Sequence, residues 1–412
     1  MPDMRSLVEK LSVKSDSKIV MCVLDGLGGL PVKGKTELQS AKTPNLDRLA
    51  RSASCGFHLP VARGITPGSG AAHLGLFGYD PLECGMGRGV VEAAGLGIKI
   101  GKNDLVARGN FATAGERGGK LIVTDRRAGR ISTKSAAALA EKLSGGIKKA
   151  GNARVRIYPG LEHRFVAVFS FPRPVPDGGE IKDTDPQKEG AAVDLTPKTA
   201  SRKPATVAAA RAAGIFGAKA REILKGEKKA NCVLLRGFST PPDLSPFGKT
   251  YGLRAACVAS YPMYRGVAGG ILGMEIKDPE DGGIQSAVER AASVAGDFDF
   301  VYAHIKSTDR HGEDGDFKKK AAAIEEFDKM LPRLLAAKPD VLVITGDHST
   351  PALMSSHSWH PVPLLIKSRF SIGGTRGFDE IRCRDGELGI VRSVEIMPLA
   401  LAHAGRLAKF GA

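Results

Sequence analysis

Lys18-Ile19-Val20-Met21-Cys22-Val23-Leu24-Asp25-Gly26 opens with a short, almost unbroken apolar run and closes on a carboxylate. Two later stretches repeat the pattern: residues 298–305 lead to Asp309, and Val341–Thr345 leads to Asp347. Runs of this length, rich in Val and Ile and without alternation, have the character of parallel strands buried on both faces. Between the second and third lie residues 317–337, with Ile324, Phe327, Met330, Leu331, Leu334 and Leu335 at helical spacing. The three pieces make a strand–helix–strand unit. Ligands of an open parallel sheet collect at the carboxyl ends of its strands. The three aspartates are therefore expected to converge on one edge of the sheet.

Outward from this frame, the middle of the chain changes character. A Gly-rich stretch over 85–101 precedes short predicted strands at 121–124, 155–158 and 165–169, then a Pro/Asp/Gly loop over 172–186. A helix-forming stretch at 205–224 leads to another strand at 232–235. The pattern predicts an α/β protein, a mostly parallel sheet flanked by helices, with a smaller α+β domain inserted. Residues 1–80 and 245–412 form the sheet domain and 81–244 the insert, with Pro241, Pro242, Pro246 and Gly248 marking the return linker. A length of 412 residues agrees with two domains.

Composition narrows the function classes. Hydrophobic residues at 42% and charged residues at 25% are ordinary globular values. No apolar run approaches the roughly 18 residues that cross a bilayer, so no membrane is expected as partner. Residues 1–18 mix Asp3, Arg5, Glu9, Lys10, Lys14 and Asp16 with short apolar pieces, and read as a capping helix and not a secretion signal. Cys22, Cys55, Cys84, Cys232, Cys257 and Cys383 form no close pair, which points to the reducing cytoplasm. The net charge of +16 invites a nucleic-acid reading, but aromatics are only 6% and no basic stretch interleaves with them. A small, multiply negative substrate accounts for the same excess of charge.

Asp25, Asp309, Asp347, His348 and His357 supply carboxylates and imidazoles suited to Mn²⁺, Mg²⁺ or Zn²⁺. Asp309 is expected to open a loop running to Asp316. Taken singly, Asp347-His348 is a helix cap and His357 a satisfied loop histidine; taken together they make a metal site, and two ions would clamp a phosphoryl transfer. Ser69 stands in Thr66-Pro67-Gly68-Ser69-Gly70-Ala71-Ala72-His73-Leu74, flanked by glycines and followed by helix formers. That places it at a helix N-terminus, where free N–H groups favour a phosphate and a metal can activate the hydroxyl. An ordinary N-cap serine fits the same motif. In and around the insert, Arg126, Arg127, Arg130, Arg164, Arg236 and Arg265 offer bidentate binding of carboxylate or phosphate.

Val23-Leu24-Asp25-Gly26-Leu27-Gly28-Gly29, Thr66-Pro67-Gly68-Ser69, Gly78-Tyr79-Asp80-Pro81, Gly87-Arg88-Gly89, Asp183-Thr184-Asp185-Pro186, Thr345-Gly346-Asp347-His348-Ser349-Thr350-Pro351 and Pro361-Val362-Pro363 occur in this order. Together they resemble the archaeal-type cofactor-independent phosphoglycerate mutases of the alkaline phosphatase superfamily, nearly end to end. The resemblance implies an alkaline-phosphatase-like sheet domain and interconversion of 3-phosphoglycerate and 2-phosphoglycerate in glycolysis and gluconeogenesis. It also implies two divalent metals and no 2,3-bisphosphoglycerate. Ser69 would be the nucleophile that becomes phosphoserine. Asp25, Ser69, Asp347 and His348 would hold one metal, Asp309 and His357 the other. The arginines would grip the glycerate carboxylate, with Asp125 and His163 as proton-transfer groups. One departure stands out: many members carry a histidine four residues after the loop aspartate, where this chain has Glu313, with His311 two residues earlier. Either Glu313 replaces the imidazole or the loop shifts so that His311 reaches the metal; Glu313 keeps the register, and the added carboxylate tilts the site toward Mn²⁺ or Mg²⁺, although Zn²⁺ or Co²⁺ also fit.

Two other readings share these residues. A metal-dependent phosphatase, or another phosphomutase of the superfamily, would keep the metal core and differ in the insert. A non-catalytic binding protein would keep the fold and lose metal affinity at Glu313, yet such a module has no need of Asp25, Ser69, Asp309, Asp347, His348 and His357 together.

Overall fold

A computed structural model describes residues 4–84, 87–176 and 178–411. Asp3, Gly85, Met86 and Asp177, which fall within three of the stretches read above, lie outside the described residues. The chain forms two compact units, Met1–Cys84 with Leu244–Ala412, and Gly85–Asp243.

The first unit is built on an eight-stranded sheet. Its strands run in the order Glu275–Ile276, Ala255–Val258, Phe300–Ile305, Ile19–Leu24, Val341–Thr345, Val362–Lys367, Ser54–Leu59 and Gly389–Arg392. Every pairing is parallel except those of Val362–Lys367, which is antiparallel to both neighbours. Ile19–Leu24 lies between Phe300–Ile305 and Val341–Thr345, with Leu24 level with Ile305 and Val23 level with Thr345. All six of its residues are buried, as the unbroken apolar run requires of a strand covered on both faces. The helix Phe317–Ala336 buries Ile324, Phe327, Leu331 and Leu334 and leaves Met330 partly covered and Leu335 exposed. It packs beside Ile284–Val294 over one core that includes Val20, Cys22 and Leu24. Because the three central strands are in register, the chain leaves the sheet at Asp25, Lys306 and Gly346 on one edge.

The second unit has a six-stranded sheet whose pairings are all antiparallel. At its centre is Asp104–Arg117, paired with Lys120–Asp125, Arg164–Ser170 and Cys232–Ser239. Helices Thr133–Gly146 and Pro204–Leu224 cover one face, closing a core of Phe111, Phe165, Phe169 and Phe216. The long central strand escapes sequence reading because its sequence, DLVARGNFATAGER, does not alternate. It is buried on both faces over its first half, so Arg108 and Asn110 sit in a strand interior where polar residues are not expected.

None of the six cysteines is in a disulfide, and burial pushes the Cys22 thiol up to about 12 and that of Cys232 to about 11, so both are inert packing groups. Among the described residues no helix is long and apolar enough to cross a membrane.

Candidate active site

Asp25 follows its strand directly and is fully buried. Its Oδ2 accepts from the Tyr264 hydroxyl, from His304 Nε2 at 3.0 Å and from Lys306 Nζ at 3.0 Å. Burial works to raise its pKa, but the His304 hydrogen bond and the Lys306 charge hold it well below the usual carboxylate range. Oδ1 has no hydrogen-bond partner. Asp347 repeats the arrangement: Oδ1 accepts from the Gly26 amide at 3.0 Å while Oδ2 is bare and buried. Burial, reinforced by the charges of Asp25 and Asp309, pushes the Asp347 carboxyl well up.

Ser69 is the first residue of the helix Ser69–Leu76, with Gly68 as its N-cap in extended conformation. Its Oγ lies 3.1 Å from His348 Nε2. The same Nε2 is 3.4 Å from Asp25 Oδ1 and 3.2 Å from Asp347 Oδ2. Burial holds the His348 pKa well down, so the imidazole is neutral. Asp25, Asp347 and His348 thus present ligand atoms within 4.8 Å of one another, all buried. Two bare carboxylate oxygens and an imidazole nitrogen, buried around a serine oxygen, fit a divalent cation, because without one the excess negative charge goes uncompensated.

A second group, Asp309, His348 and His357, meets the same 4.8 Å closeness. Asp309 does not open a loop. It lies in the first turn of a helix, Ser307–Glu313, which buries Thr308, Asp309 and Gly312. The Thr308 hydroxyl donates to the Asp25 carbonyl at 2.5 Å and so ties this helix to the first strand end. His357 donates from Nδ1 to the Pro67 carbonyl at 3.0 Å, since a carbonyl only accepts. Its Nε2 therefore keeps a lone pair, 3.6 Å from both Asp309 Oδ1 and Glu313 Oε1. Glu313 stands at the rim of this group, its carboxyl pushed up by burial and by the Asp309 charge. His311 is not one of this group, and its buried Nδ1 makes no hydrogen bond. Lys306 bridges the groups, 2.5 Å from Asp309 Oδ2 and 3.0 Å from Asp25 Oδ2.

In the second unit, Arg108, Asn110, Arg126, Arg127, Arg130, His163, Arg164 and Arg236 line a cavity of about 500 Å³. The buried, bidentate Asp185 fork anchors Arg126, through Nε at 2.7 Å and Nη2 at 2.9 Å, and also approaches Arg236 at 3.4 Å. Arg126 is therefore committed to a carboxylate of the chain itself. The Nε atoms of Arg108, Arg164 and Arg236, with Asn110 Oδ1 and His163 Nδ1, are buried and make no hydrogen bond, although Asp183 comes within 3.7 Å of Arg236 Nε and Glu162 within 3.6 Å of His163 Nδ1. The arginine donors among these are costly to leave unmet and suit an anion with several acceptor oxygens, whereas Asn110 Oδ1 can only accept. His163 is neutral, its pKa lowered to about 4 by burial first and the nearby Arg164 charge second. Asp125 uses its carboxylate oxygens to accept from the Arg127 amide at 2.7 Å and the Gly129 amide at 2.5 Å, shaping the turn that carries Arg127 and Arg130. Arg265 is not part of this cluster. It ends the short helix Pro262–Arg265 of the first unit and pairs with Asp278.

Sequence reasoning missed Tyr264, His304, Lys306, Arg108 and Asn110. Lys306 carried a signal, standing three residues before Asp309, so that the start of one helix brings both to the same face. Tyr264 and His304 carried none, because their place beside Asp25 comes from separate strands and turns.

Comparison with known proteins places the chain in a family. Residues 50–229 match the family model described as 2,3-bisphosphoglycerate-independent phosphoglycerate mutase. An Aquifex aeolicus protein named "Probable 2,3-bisphosphoglycerate-independent phosphoglycerate mutase" is 49% identical over 409 residues, covering 98% of this chain and all of the relative. The solved cofactor-independent phosphoglycerate mutase of Thermoplasma acidophilum superposes with a TM-score of 0.73 at 30% identity, over 94% of this chain and all of that one. A solved Pyrococcus horikoshii protein gives 0.79 at 30% identity, over 96% and 99% of the two chains. Identity at this level, sustained over whole chains, does not arise by chance or by shared fold alone: this chain belongs to the 2,3-bisphosphoglycerate-independent phosphoglycerate mutase family, whose members depend on metal and handle a small phosphorylated substrate.

Proposed function

We propose that this chain interconverts 3-phosphoglycerate and 2-phosphoglycerate in the cytoplasm, without 2,3-bisphosphoglycerate, by carrying the phosphoryl group on Ser69. The observation that carries the reading is the meeting of His348 Nε2 and two bare carboxylate oxygens around a serine at a helix N-terminus. Asp25, Ser69, Asp347 and His348 would hold one divalent ion, and Asp309, Glu313 and His357 the other. The carboxylate-rich donor set favours Mn²⁺ or Mg²⁺ over softer ions. Such ions, when bound, lower the pKa of a hydroxyl and neutralise phosphoryl charge.

Ser69 Oγ gives up its proton to solvent as it attacks phosphorus, and the bond to the glycerate oxygen breaks with a proton taken up by that oxygen from solvent, leaving phosphoserine and a free hydroxy acid. The amides of the first turn after Gly68 face the phosphate oxygens, and Lys306 adds a fixed positive charge. Arg108, Arg127, Arg130, Arg164 and Arg236 bind the glycerate carboxylate, which keeps the acid in place while its other hydroxyl is presented to phosphoserine. Asp185 stiffens this set by fixing Arg126 and drawing Arg236 to it. His163, buried and neutral, takes the proton of the attacking glycerate hydroxyl and returns it in the reverse direction. Asp125 contributes by shaping the arginine turn.

The test is an assay of purified, Mn²⁺-loaded protein on 3-phosphoglycerate without 2,3-bisphosphoglycerate, with free phosphate followed in parallel. Formation of 2-phosphoglycerate is expected, lost with chelator and restored by Mn²⁺. Release of phosphate in place of isomerisation would move the function to a phosphatase, and silence with Mn²⁺, Mg²⁺, Zn²⁺ and Co²⁺ would sink the mutase.

A further inference from the structure

His348 is shared geometrically between the two candidate metal groups, and one hydroxyl decides how it is divided. Thr350 is fully buried, and its Oγ1 lies 2.7 Å from Asp309 Oδ1 and 2.9 Å from His348 Nδ1. A threonine hydroxyl has one proton. Lys306 Nζ donates to the other oxygen of Asp309, which leaves Oδ1 as the acceptor facing Thr350. If the hydroxyl donated to His348 instead, two lone pairs would face each other at 2.7 Å. The proton therefore goes to Asp309, and Thr350 Oγ1 must accept from His348 Nδ1–H.

We propose that Thr350 is a positioning residue: its hydroxyl holds His348 as the Nδ1–H tautomer, which assigns Nε2 to the Asp25–Asp347–Ser69 group and withholds Nδ1 from the Asp309–His357 group. The relay His348 Nδ1–H to Thr350 Oγ1–H to Asp309 Oδ1 joins one ligand of each group through a single atom. Hydrogen-bonded partners of this kind fix the tautomer and ring angle of a metal-binding histidine. Thr350 is itself restrained. Its amide approaches the carbonyls of Gly26 at 3.3 Å and Gly28 at 3.1 Å, and its carbonyl accepts from buried Lys320 Nζ at 2.8 Å. Gly312 leaves room for the fold here, since a Cβ on it would lie 2.3 Å from the Thr350 carbonyl oxygen.

The inference rests on the metal-site reading for its metal-binding consequence, but the tautomer itself does not, so the two can fail separately. The experiment uses full-length metal-free protein labelled with ¹⁵N-histidine, in which long-range ¹H–¹⁵N spectra report the protonated nitrogen of each ring. His348 is expected to carry its proton on Nδ1 in the wild type and in Thr350→Ser, and to shift toward Nε2–H in the near-isosteric Thr350→Val. His357, anchored on Pro67, should stay unchanged in all three and so acts as internal control. Mn²⁺ titration by calorimetry should then weaken about 10- to 100-fold in Thr350→Val, with Thr350→Ser close to wild type. An Nε2–H tautomer in the wild type would overturn the proposal even if no variant folded, as would Thr350→Val that keeps both tautomer and affinity. A wild type that shows the Nδ1–H tautomer but binds no Mn²⁺ would overturn the metal reading and leave the relay standing.

Discussion

Ser69→Ala is expected to remove essentially all mutase turnover, a loss on the order of four or more decades, while leaving the fold in place. The size follows from the role. When a nucleophile is deleted, the residual rate comes only from binding and electrostatic groups, and such deletions cost factors of about 10⁴ to 10⁶. The hydroxyls of Thr350 and Tyr264, which touch the candidate metal ligands, are engaged with Asp309 and Asp25. Alanine is a good helix former, and the cap of this helix is Gly68, so the first turn should persist. The check has two parts: the rate of 3-phosphoglycerate conversion, and incubation with substrate labelled at phosphorus followed by mass analysis of the intact chain. Wild type should carry label on the peptide containing Ser69 and the variant none. Turnover within about tenfold of wild type would remove Ser69 from its role.

Lys320→Met should destabilise the protein by about 3–5 kcal/mol, the scale found when one partner of a buried ion pair is removed. Lys320 is fully buried on the helix Phe317–Ala336, although the sequence there, Lys318-Lys319-Lys320, reads as a solvated face. Its ammonium donates to the carbonyls of Gly28 at 3.0 Å and Thr350 at 2.8 Å, and lies 3.9 Å from Glu37 Oε1. Glu37 is equally buried and takes the Ala352 amide at 2.7 Å. Burial works to lower the Lys320 pKa and the Glu37 charge opposes it. Methionine matches the length of lysine but leaves Glu37 unpaired and two carbonyls with one partner fewer. Equilibrium unfolding in urea measures the loss, and adding Glu37→Gln to Lys320→Met should recover part of it. A single-variant cost below about 1 kcal/mol, the range of exposed pairs, would show that the pair is not the clasp it looks to be.

The contrast between Lys318-Lys319 and Lys320 shows where sequence reading stops. Three adjacent lysines are identical as letters; helix geometry turns one of them inward, and the carbonyls of Gly28 and Thr350 together with the carboxylate of Glu37, all from distant segments, make that burial tolerable. The central strands were legible because burial on both faces leaves an unbroken apolar run, and each run is followed within a few residues by its aspartate. Ser69 was legible because glycines and helix formers mark a helix start. Glu313 was legible as an offset from Asp309, and it does lie beside His357. Asp309 was misread as loop because its segment is short and polar; it is helical because Thr308 and Asp309 find buried partners at the first strand end and at Lys306 and Thr350. The arginine pocket was half legible: Arg126, Arg127, Arg130, Arg164 and Arg236 were visible as a basic set, whereas Arg108 and Asn110 were hidden in a strand without alternation.

The strand Ile19–Leu24 pairs only with Phe300–Ile305 and Val341–Thr345, so its partners are made almost the whole length of the chain later. At roughly 5–20 residues per second, synthesis keeps this apolar strand waiting for about a quarter of a minute to a minute. Residues 85–243 need no such wait, since every strand pairing of their sheet lies within the segment. The order of folding on the ribosome is thus expected to be inside out: the insert becomes compact while the flanking start of the chain is still open to chaperones and proteases. Limited proteolysis of ribosome-bound chains stalled before residue 300 should yield a protected fragment within residues 87–243 and rapid cleavage near residues 19–24. Protection of both segments at the same length would reverse the order.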